Sequence, residues 1–465
     1  MDRVLSVHFQ KFSCVIAVAV FMAIAFLSPT ASAANLSDEA VRQTINETMK
    51  TILSGEDVSP ALQQKIESLR MMAEAGTLSR EKIRKVAKTE IVGVLDEIRT
   101  SRYILKALPE QVNELFSPYL TWEEMRKITW EACSTVIKKG DHMVITIGTL
   151  APDGTPWLSV PRAKLIPEVA RLSDGKVKIK IYGGGIMGED TDILRKMDIG
   201  QLDGCGCTAL GVLKASPETS VFLLPGLFKN YDEVDYVFAK FRKRIDKSFA
   251  KRGYILAALI DTGFFHMFSK KKIASLDDIR KEKPLTWFGQ VETTLFDELN
   301  INATPVAVPE VVSALSTGLA DTNLAPAAWM LGMQAYQYSN YYIKQPLLYS
   351  PAAIIVSLNT KHRLQRQFNV SDTFAYNIQE LIVFEVMSLE TYWKASVRSY
   401  ERKSLEAFEK KCGMKVTSFS PKDMETIKMA DVRVQQVLAG KIYPKELLDE
   451  VLAVLEEYRA THPED

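Results

Sequence analysis

Two segments of this 465-residue chain show the same predicted order of elements, strand–helix–strand–helix–strand. The first segment begins with the apolar strand Met143–Ile147 and the second with the strand Pro284–Phe288. Strands that alternate with helices form parallel sheets whose faces are covered by those helices. The order therefore predicts an α/β fold that contains two related βαβ units.

The first βαβ unit continues with the helix Trp157–Leu172 and the strand Lys176–Tyr182. In that strand apolar residues alternate with lysines, which is typical of a half-exposed strand at or near a sheet edge. The helix Asp190–Ile199 ends at Gly200, and the strand Leu202–Ala209 completes the unit. The pattern therefore places the second of its three strands at the margin of the sheet.

The second βαβ unit contains the helix Glu292–Leu299 and the strands Pro305–Val308 and Asp321–Ala325. Between those two strands lies a helix with Pro309 in its first turn and Gly318 at its C-terminal stop. Parallel sheets bind ligands beyond the carboxyl ends of their strands. If the two units face each other, a ligand cleft is expected between two parallel sheets.

The first 33 residues have the features of a secretory signal peptide. Arg3 and Lys11 precede the apolar run Phe12–Leu27, and Ala31-Ser32-Ala33 has the small-residue pattern of a cleavage site. A membrane anchor is the alternative, but a run of about 16 residues is short for a membrane span. We predict an exported, periplasmic protein whose signal peptide, residues 1–33, is cleaved after Ala33.

The charge of the chain is balanced, with 58 Lys and Arg residues against 57 Asp and Glu residues. Loss of Asp2, Arg3 and Lys11 with the signal peptide leaves the mature chain formally neutral. Proteins that bind nucleic acid need a basic surface to contact the phosphates. The balance therefore argues against nucleic acid as the main partner.

Residues 34–140 read as an all-helical N-terminal module. Apolar residues recur at spacings of three and four in Asp38–Leu53, Pro60–Ala75 and Leu78–Leu105. The module either docks on the main body or binds a protein partner. The chain is again mostly helical from about Ser371, and the run Tyr376–Cys412 is long enough to brace both βαβ units.

Four cysteines remain after cleavage, and they form neither a CxxC pair nor a cluster at metal spacing; they are Cys133, Cys205, Cys207 and Cys412. Cys205 and Cys207 lie in a predicted strand, where neighbours on one face are awkward for a direct bond. We expect buried free thiols. The histidines of the mature chain are scattered, and we predict no metal site.

The sequence Gly183-Gly184-Gly185-Ile186-Met187-Gly188 satisfies the GxGxxG pattern of dinucleotide-binding proteins. It follows the second strand of its unit instead of the first, and that strand carries outward lysines. We interpret it as a glycine-rich turn at the rim of the cleft, and we predict no cofactor. Motifs for hydrolytic or phosphate chemistry are absent from the sequence, so we predict that the protein is not an enzyme. His266 is expected to be a satisfied core residue.

Two stretches of the chain resemble a known family. One runs from Ile145–Gly154 through Tyr182–Asp190 and Leu194–Gly204, and the other combines Leu276–Arg280 with Pro309–Asp321. Together they resemble the extracytoplasmic solute-binding subunit of tripartite ATP-independent periplasmic (TRAP) transporters. The resemblance extends from about residue 141 to the C-terminus and does not include residues 34–140.

The resemblance implies a two-lobed periplasmic-binding-protein fold (class II-like), with two crossover strands and a long helix that spans both lobes. Lobe I would comprise residues 141–262 and 353–392, and lobe II residues 263–352 and 393–465. The protein would close around a small-molecule solute and deliver it to the TRAP membrane permease subunits, which an ion gradient drives.

Family members usually bind an organic acid through an arginine in the strand after the Leu276–Arg280 motif. Here that position falls on Leu285, and a second basic position, after Gly263-Phe264, falls on Phe265. Without these guanidinium groups a buried carboxylate has no bidentate partner. We therefore predict a neutral or hydrophobic solute. The predicted binding residues are Thr149, Glu189, Thr208, Phe264, Phe265, Leu285, Trp287, Phe288, Gln290, Asn323, Leu324 and Trp329. An exported enzyme that uses the same cleft and a solute-sensing subunit are the alternative functions.

Overall fold

A computed structural model describes residues 142–287, 289–368 and 372–462 of the chain. The predicted signal peptide, the helical module of residues 34–140 and Phe288 lie outside the described residues. None of the helices within the described ranges combines the length and apolar character that a membrane crossing needs.

The described residues form ten strands and fourteen α-helices. The strands are β1 Met143–Thr149, β2 Val177–Tyr182, β3 Gly204–Cys207, β4 Tyr254–Ser269, β5 Pro284–Trp287, β6 Thr304–Val306, β7 Thr322–Pro326, β8 Tyr341–Ile343, β9 Leu348–Ser357 and β10 Lys415–Thr417. The helices are α1 Pro156–Val160, α2 Ile166–Leu172, α3 Asp190–Asp198, α4 Ala209–Ala215, α5 Tyr231–Lys251, α6 Leu276–Lys281, α7 Gln290–Glu298, α8 Val311–Thr317, α9 Ala327–Gly332, α10 Asn359–Phe368, α11 Asp372–Ser388, α12 Glu390–Lys410, α13 Pro421–Leu438 and α14 Lys445–Thr461.

The strands belong to one mixed sheet, whose main order is β2-β1-β3-β9-β4-β7-β5-β6. The parallel pair β1 and β3 lies on one side, and the parallel strands β7, β5 and β6 lie on the other. Between them β9 and β4 are antiparallel to each other and to the strands that they border. The prediction of two separate parallel sheets is therefore wrong, because 16-residue β4 and 10-residue β9 join them.

The element order predicted from the sequence is confirmed in both βαβ units, with the predicted helix Trp157–Leu172 formed by α1, a π-helical turn at Pro161–Leu165 and α2. Among the described strands β2 occupies the end of the sheet, and its Lys178 and Lys180 are exposed. Helices α3 and α8 are followed by Gly200 and Gly318, whose φ angles of 76° and 73° lie in the left-handed region that favours glycine. The two glycines read from the sequence as helix stop signals therefore correspond to real helix ends.

Strand β4 crosses the centre of the sheet and is buried along nearly its whole length. Its pairing with β9 shifts register between Leu256 and Ala258 and again between Asp261 and Gly263. Register shifts of this kind bend a strand and increase its twist. The second shift lies immediately before Phe264 and Phe265, so it helps to orient two of the predicted binding residues.

Two expectations are corrected by the structure. Cys205 and Cys207 are joined by a disulfide and are not free thiols. Their Cα atoms lie 5.3 Å apart, a distance within the usual range for such bonds. Cys412 is the free cysteine among the described residues. The predicted long helical run Tyr376–Cys412 is divided at Leu389 into α11 and α12.

The chain divides into two compact parts. Among the described residues, the smaller part contains Glu168–Lys178 and the helical residues of Leu364–Ser388. Within it Ser173 closes a turn, since its Oγ donates to the carbonyl of Val169 at 2.7 Å and accepts from the Val177 amide at 3.0 Å. The larger part contains Val144–Pro167, Ile179–Arg363 and residues 389–462. All predicted binding residues lie in the larger part, except Phe288, which is not described.

Candidate functional site

Three of the predicted binding residues lie at the carboxyl ends of strands. Thr149 is the last residue of β1, Thr208 follows the last residue of β3, and Trp287 is the last residue of β5. Asn323 lies in β7, and Trp329 lies in the helix α9 that follows this strand. Carboxyl ends of parallel strands are the usual ligand-binding edge of such sheets. The candidate site is therefore built on rigid elements.

The two threonines direct their hydroxyl groups toward the protein. Thr149 Oγ1 donates to the carbonyl of Gly206 at 2.7 Å and accepts from the Ala151 amide at 3.2 Å. Thr208 Oγ1 donates to a carboxylate oxygen of Asp190 at 2.5 Å. These hydroxyl protons are therefore already committed to internal hydrogen bonds, which fix the ends of β1 and β3.

Asp190 organises this edge, although the sequence analysis did not single it out. Its Oδ2 accepts hydrogen bonds from the amides of Thr208 and Gly211, each at 3.0 Å, as well as from the Thr208 hydroxyl. Complete burial raises the pKa of Asp190 to about 7. One carboxyl group thus ties α3 to the end of β3 and the start of α4. The sequence signal that could have identified Asp190 is its position at the start of α3, directly after the glycine-rich turn and the acidic cap residue Glu189.

Glu189 connects the two βαβ units. Its Oε1 accepts from the Asp190 amide at 3.1 Å, which caps α3, and its Oε2 accepts from the Val308 amide at 2.9 Å. A Cβ on Gly185 would lie 3.1 Å from Pro309, so the glycine-rich turn also approaches the second unit closely. Burial raises the pKa of Glu189. The two units therefore face each other at this point, as the predicted cleft requires.

Three aromatic side chains form a continuous cluster around Trp287. The ring centroids of Phe265 and Trp287 are 5.0 Å apart, and those of Trp287 and Trp329 are 5.3 Å apart, both with edge-to-face geometry. All three side chains are buried. The indole N–H groups of both tryptophans have no hydrogen-bond partner among the described residues. This aromatic cluster combines apolar surface with two donors.

Leu285 and Asn323 lie side by side in the register of β5 and β7, and both are fully buried. Asn323 Nδ2 lies 3.4 Å from Met330 Sδ, while its Oδ1 has no partner among the described residues. Leu324 is also buried, but strand alternation directs it to the opposite face of the sheet from Asn323. Gln290 is exposed at the start of α7. The structure therefore brings Asn323 and Leu285 together and leaves Leu324 and Gln290 apart from them.

Phe264 belongs to a second aromatic group. Its ring centroid lies 4.9 Å from that of Tyr231 and 5.5 Å from that of Tyr349. Both tyrosine hydroxyls donate to buried carboxyl groups, Tyr231 to Glu401 at 2.7 Å and Tyr349 to Asp261 at 2.6 Å. Adjacent phenylalanines of β4 thus pack against two different groups, Phe264 against these tyrosines and Phe265 against Trp287.

The guanidinium group beside the tyrosines is fully engaged by carboxylates. Arg398 donates to Asp261 at 2.7 Å and to both carboxylate oxygens of Asp235, at 2.6 and 2.9 Å. It also lies over the ring of Tyr231, 4.3 Å from the centroid. Burial alone would raise the pKa of Asp235, but the bonds from Arg398 and Lys394 lower it. This cation therefore neutralises protein carboxylates. Its Nε, Nη1 and Nη2 atoms all donate to them, so no pair of N–H groups is available for a bidentate contact with a ligand.

Glu401 is a second buried acid that the sequence analysis missed. Its pKa is raised to about 8, chiefly by burial, and its Oε1 has no hydrogen-bond partner among the described residues. Its carboxyl group occupies the space where a Cβ on Gly263 would lie. Gly263 has a φ of 122°, which L side chains rarely adopt. The carboxyl group of Glu401 therefore packs against the bend of β4 only because residue 263 is glycine.

His266 is a core residue, as expected. Its Nδ1 lies 3.2 Å from the carbonyl of Ile343, and burial lowers its pKa to about 4. Among the described residues, one group of metal-type side chains has its ligand atoms within 4.8 Å of one another: Asp190, Cys205 and Cys207. Since the two sulfurs are bonded to each other, they offer no thiolate to a metal ion.

Residues 147–439 match the family model of the bacterial extracellular solute-binding proteins, family 7 (DctP). Among curated proteins, the chain is 25% identical over 194 residues to a solute-binding protein of Chromohalobacter salexigens, covering 41% of this chain and 57% of that protein. It is 22% identical over 192 residues to a solute-binding protein of Verminephrobacter eiseniae, with coverage of 41% and 57%. The chain thus spans little more than half the length of the curated relatives that it matches.

Two solved structures illustrate the shared fold. A sugar acid binding protein from Advenella mimigardefordensis in complex with galactonate is 24% identical, with a TM-score of 0.61, over 68% of this chain and 99% of that one. A TRAP periplasmic solute-binding protein from Desulfovibrio salexigens with bound orotic acid is 18% identical, with a TM-score of 0.59, over 68% and 99%. The predicted two-lobed α/β fold is confirmed by this likeness.

Proposed function

This chain belongs to the bacterial extracellular solute-binding proteins of family 7, and we propose that it is the solute receptor of a TRAP transporter. In this role the mature protein captures a small molecule outside the cytoplasm and delivers it to the TRAP permease subunits in the membrane. The family model describes binding proteins, not enzymes, so the alternative of an exported enzyme is not favoured. The sensor alternative rests only on residues 34–140.

The solute is a neutral or largely hydrophobic molecule. The observation that carries this proposal is the contact between Phe265 and Trp287, with Leu285 buried nearby in β5. By resemblance, arginines would stand at positions 265 and 285 in a receptor for organic acids. A carboxylate buried against these side chains would lose its hydration without gaining an ion pair. The solved relatives described above hold acids, so this chain departs from them.

The polar contacts of the solute follow from the aromatic cluster and from Asn323 of β7. The unpartnered indole N–H groups of Trp287 and Trp329 suit an oxygen acceptor, and Oδ1 of Asn323 suits a donor. Hydroxyl, carbonyl and ether groups meet these needs without a charge. Arg398, the cation beside the Phe264 group, already pairs with two carboxylates. We therefore expect an apolar body with one or two neutral polar groups.

Closure brings lobe I, residues 141–262 and 353–392, against lobe II, residues 263–352 and 393–465. Strands β4 and β9 connect the two lobes, and the irregular pairing around Asp261 and Gly263 supports a bend at that point. The hydrogen bond from the Val308 amide to Glu189 joins the lobes on the far side of the site. Glu189 thus stabilises the closed state.

Export requires cleavage after Ala33, which N-terminal sequencing of the mature protein tests. The helical module of residues 34–140 is proposed to bind a protein partner. The permease subunits are one candidate for that partner. Deleting residues 34–140 and measuring uptake and solute affinity separates these roles, because loss of uptake with unchanged affinity indicates docking.

Matched pairs of ligands test the solute class. Thermal unfolding is measured with carboxylic acids and with the primary alcohols of the same carbon skeleton, such as octanoate with octanol and galactonate with galactitol. A neutral solute that binds the folded state raises Tm, and at a fixed ligand concentration the shift grows with the logarithm of its affinity. Stabilisation by an alcohol and not by its acid supports the proposal. Stabilisation by the acid alone contradicts it.

A further inference from the structure

The disulfide between Cys205 and Cys207 encloses a single residue, Gly206, within strand β3. Constraint of the unfolded chain by a disulfide grows with the length of the loop that it closes. A bond across two sequence positions closes one of the shortest loops available, so it restricts the unfolded chain very little. Its effect must therefore be local, on the strand that contains it.

The bond shortens β3 at its carboxyl end. The Cα atoms of Cys205 and Cys207 are 5.3 Å apart, whereas residues two apart in a regular strand are separated by about 6.6 Å. The strand is nevertheless paired on both sides, with Gly206 opposite Thr149 of β1 and Ile354 of β9. The shortened strand therefore lies between two paired strands, so a change in the length of β3 must also shift its pairing with β1 and β9.

The contraction lies between two of the candidate binding residues. Thr149 Oγ1 donates to the carbonyl of Gly206 at 2.7 Å, and Thr208 directly follows Cys207. A Cβ on Gly211 would lie 2.7 Å from Cys207 Cβ, so α4 packs directly on the disulfide. A change in the length of β3 must therefore move the Thr208 end of the strand and the first turn of α4.

A proton carrier stands next to the sulfurs. Asp190 Oδ1 is 3.9 Å from Cys205 Sγ, while Oδ2 holds the amides of Thr208 and Gly211. Burial raises the pKa of this carboxyl to about 7, so both of its protonation states are accessible near neutrality. A carboxyl group in this position can protonate a departing thiolate and then accept a hydrogen bond from the thiol.

We propose that Cys205–Cys207 is a redox-active site, opened by a dithiol reductant, whose state sets the geometry of the Thr149–Thr208 side of the solute site. A reductant thiolate attacks Cys207 Sγ, the S–S bond breaks, and Cys205 Sγ leaves with the bonding electron pair and takes a proton from Asp190. The second reductant thiol then attacks the reductant sulfur of the mixed disulfide, and Cys207 Sγ leaves with the bonding electron pair and takes the proton of that thiol. The proton lost by the first reductant thiol returns to Asp190, and the reductant's own disulfide is closed. Two cysteine thiols form, and the dithiol is oxidised.

Access requires local motion, because Cys205 is 0% and Cys207 2% exposed. Helix α4, only seven residues long, must lift from β3 before a reductant can reach either sulfur. Thiol–disulfide exchange with the reductant is therefore slow, and its rate increases when α4 opens. The effect on solute binding rests on the proposed function, whereas the chemistry of the bond does not.

The test uses the full mature protein and dithiothreitol as the reductant. After incubation, free thiols are alkylated in denaturant and located by mass spectrometry, and hydrogen exchange is followed in peptides that contain Thr208–Gly211. We expect the untreated protein to carry no alkylation at Cys205 and Cys207, and the reduced protein to carry one at each. Exchange in the Thr208–Gly211 peptides should rise several-fold on reduction. Free thiols at both positions without reductant, or equal exchange in both states, would overturn the proposal.

Variants separate the disulfide from other effects. Cys412→Ser, which removes a cysteine away from β3, should behave as wild type, whereas the double variant Cys205→Ser, Cys207→Ser should not respond to reductant. Asp190→Asn should change the pH profile of the reduction rate, and an unchanged profile excludes the proton transfer. The wild-type comparison remains decisive if the double variant does not fold.

The consequence for binding is measured with N-phenyl-1-naphthylamine, a neutral fluorescent probe. Reduction should change its affinity several-fold in wild type and leave it unchanged in the double variant. Equal affinity in both redox states would refute the link to the solute site. Because thiol mapping and hydrogen exchange need no solute, they remain valid if the natural solute is found to be an acid.

Discussion

Replacement of Trp287 by leucine is the most informative perturbation of the aromatic cluster. The tryptophan makes two edge-to-face contacts, with Phe265 at 5.0 Å and Trp329 at 5.3 Å. Each such pair contributes about 0.5–1.5 kcal/mol beyond the buried area, so losing both costs about 1–3 kcal/mol of folding free energy. The substitution also removes one of the two indole donors from the proposed solute site.

A matched control distinguishes stability from binding. Phe222, which is not a predicted binding residue, is also buried and makes two edge-to-face contacts, with Phe238 at 4.9 Å and Phe241 at 5.9 Å. Phe222→Leu should therefore lower the free energy of unfolding by a similar amount without touching the site. Both variants are measured by urea unfolding and by titration with N-phenyl-1-naphthylamine. Only Trp287→Leu should lose probe affinity, by about tenfold or more, which corresponds to about 1.4 kcal/mol. Wild-type affinity in Trp287→Leu would refute the placement of the solute against this cluster.

Three further substitutions test the closing contact and the buried acid. Glu189→Ala removes a charge-assisted hydrogen bond from the Val308 amide, worth about 1.5–3 kcal/mol. Small-angle scattering should therefore show a more open protein, and unchanged scattering would contradict a role of Glu189 in stabilising the closed state. Glu401 holds its proton up to about pH 8 when folded but only to about 4.5 when unfolded, so it lowers wild-type stability as pH rises between these values. Glu401→Gln should flatten that slope in urea unfolding, and an identical slope would exclude Glu401 as its cause. Gly263→Ala should cost about 1–3 kcal/mol because of its positive φ and the adjacent Glu401 carboxyl, and a stable variant would refute this.

Local patterns in the sequence predicted most of the fold. The alternation of lysines in Lys176–Tyr182 correctly predicted an edge strand, and Gly200 and Gly318 marked the ends of α3 and α8. These features depend on neighbours along the chain, which periodicity and punctuation report directly. The joining of two parallel groups into one sheet by β4 and β9 depends on pairings distant in sequence, and the pattern did not reveal it.

The contacts of the candidate site were harder to predict for the same reason. Glu189 accepts a hydrogen bond from a residue 119 positions away, and Arg398 reaches Asp261 across 137 positions. The Cys205–Cys207 bond was missed because residues two apart in a regular strand, about 6.6 Å between Cα atoms, lie near the upper limit of disulfide spacing, whereas β3 brings them to 5.3 Å. Burial of Asp190 and Glu401, which determines their protonation, likewise exists only after folding.

Native mass spectrometry of the protein purified from the periplasm of its own bacterium tests the central claim most directly. The natural solute is retained in the measurement, so the mass difference between bound and free protein gives its composition, and hence its chemical class, without a choice of candidate ligands. We predict a neutral, largely apolar molecule bound at one copy per chain. Recovery of a small dicarboxylate or a sialic-acid-like anion would contradict the account.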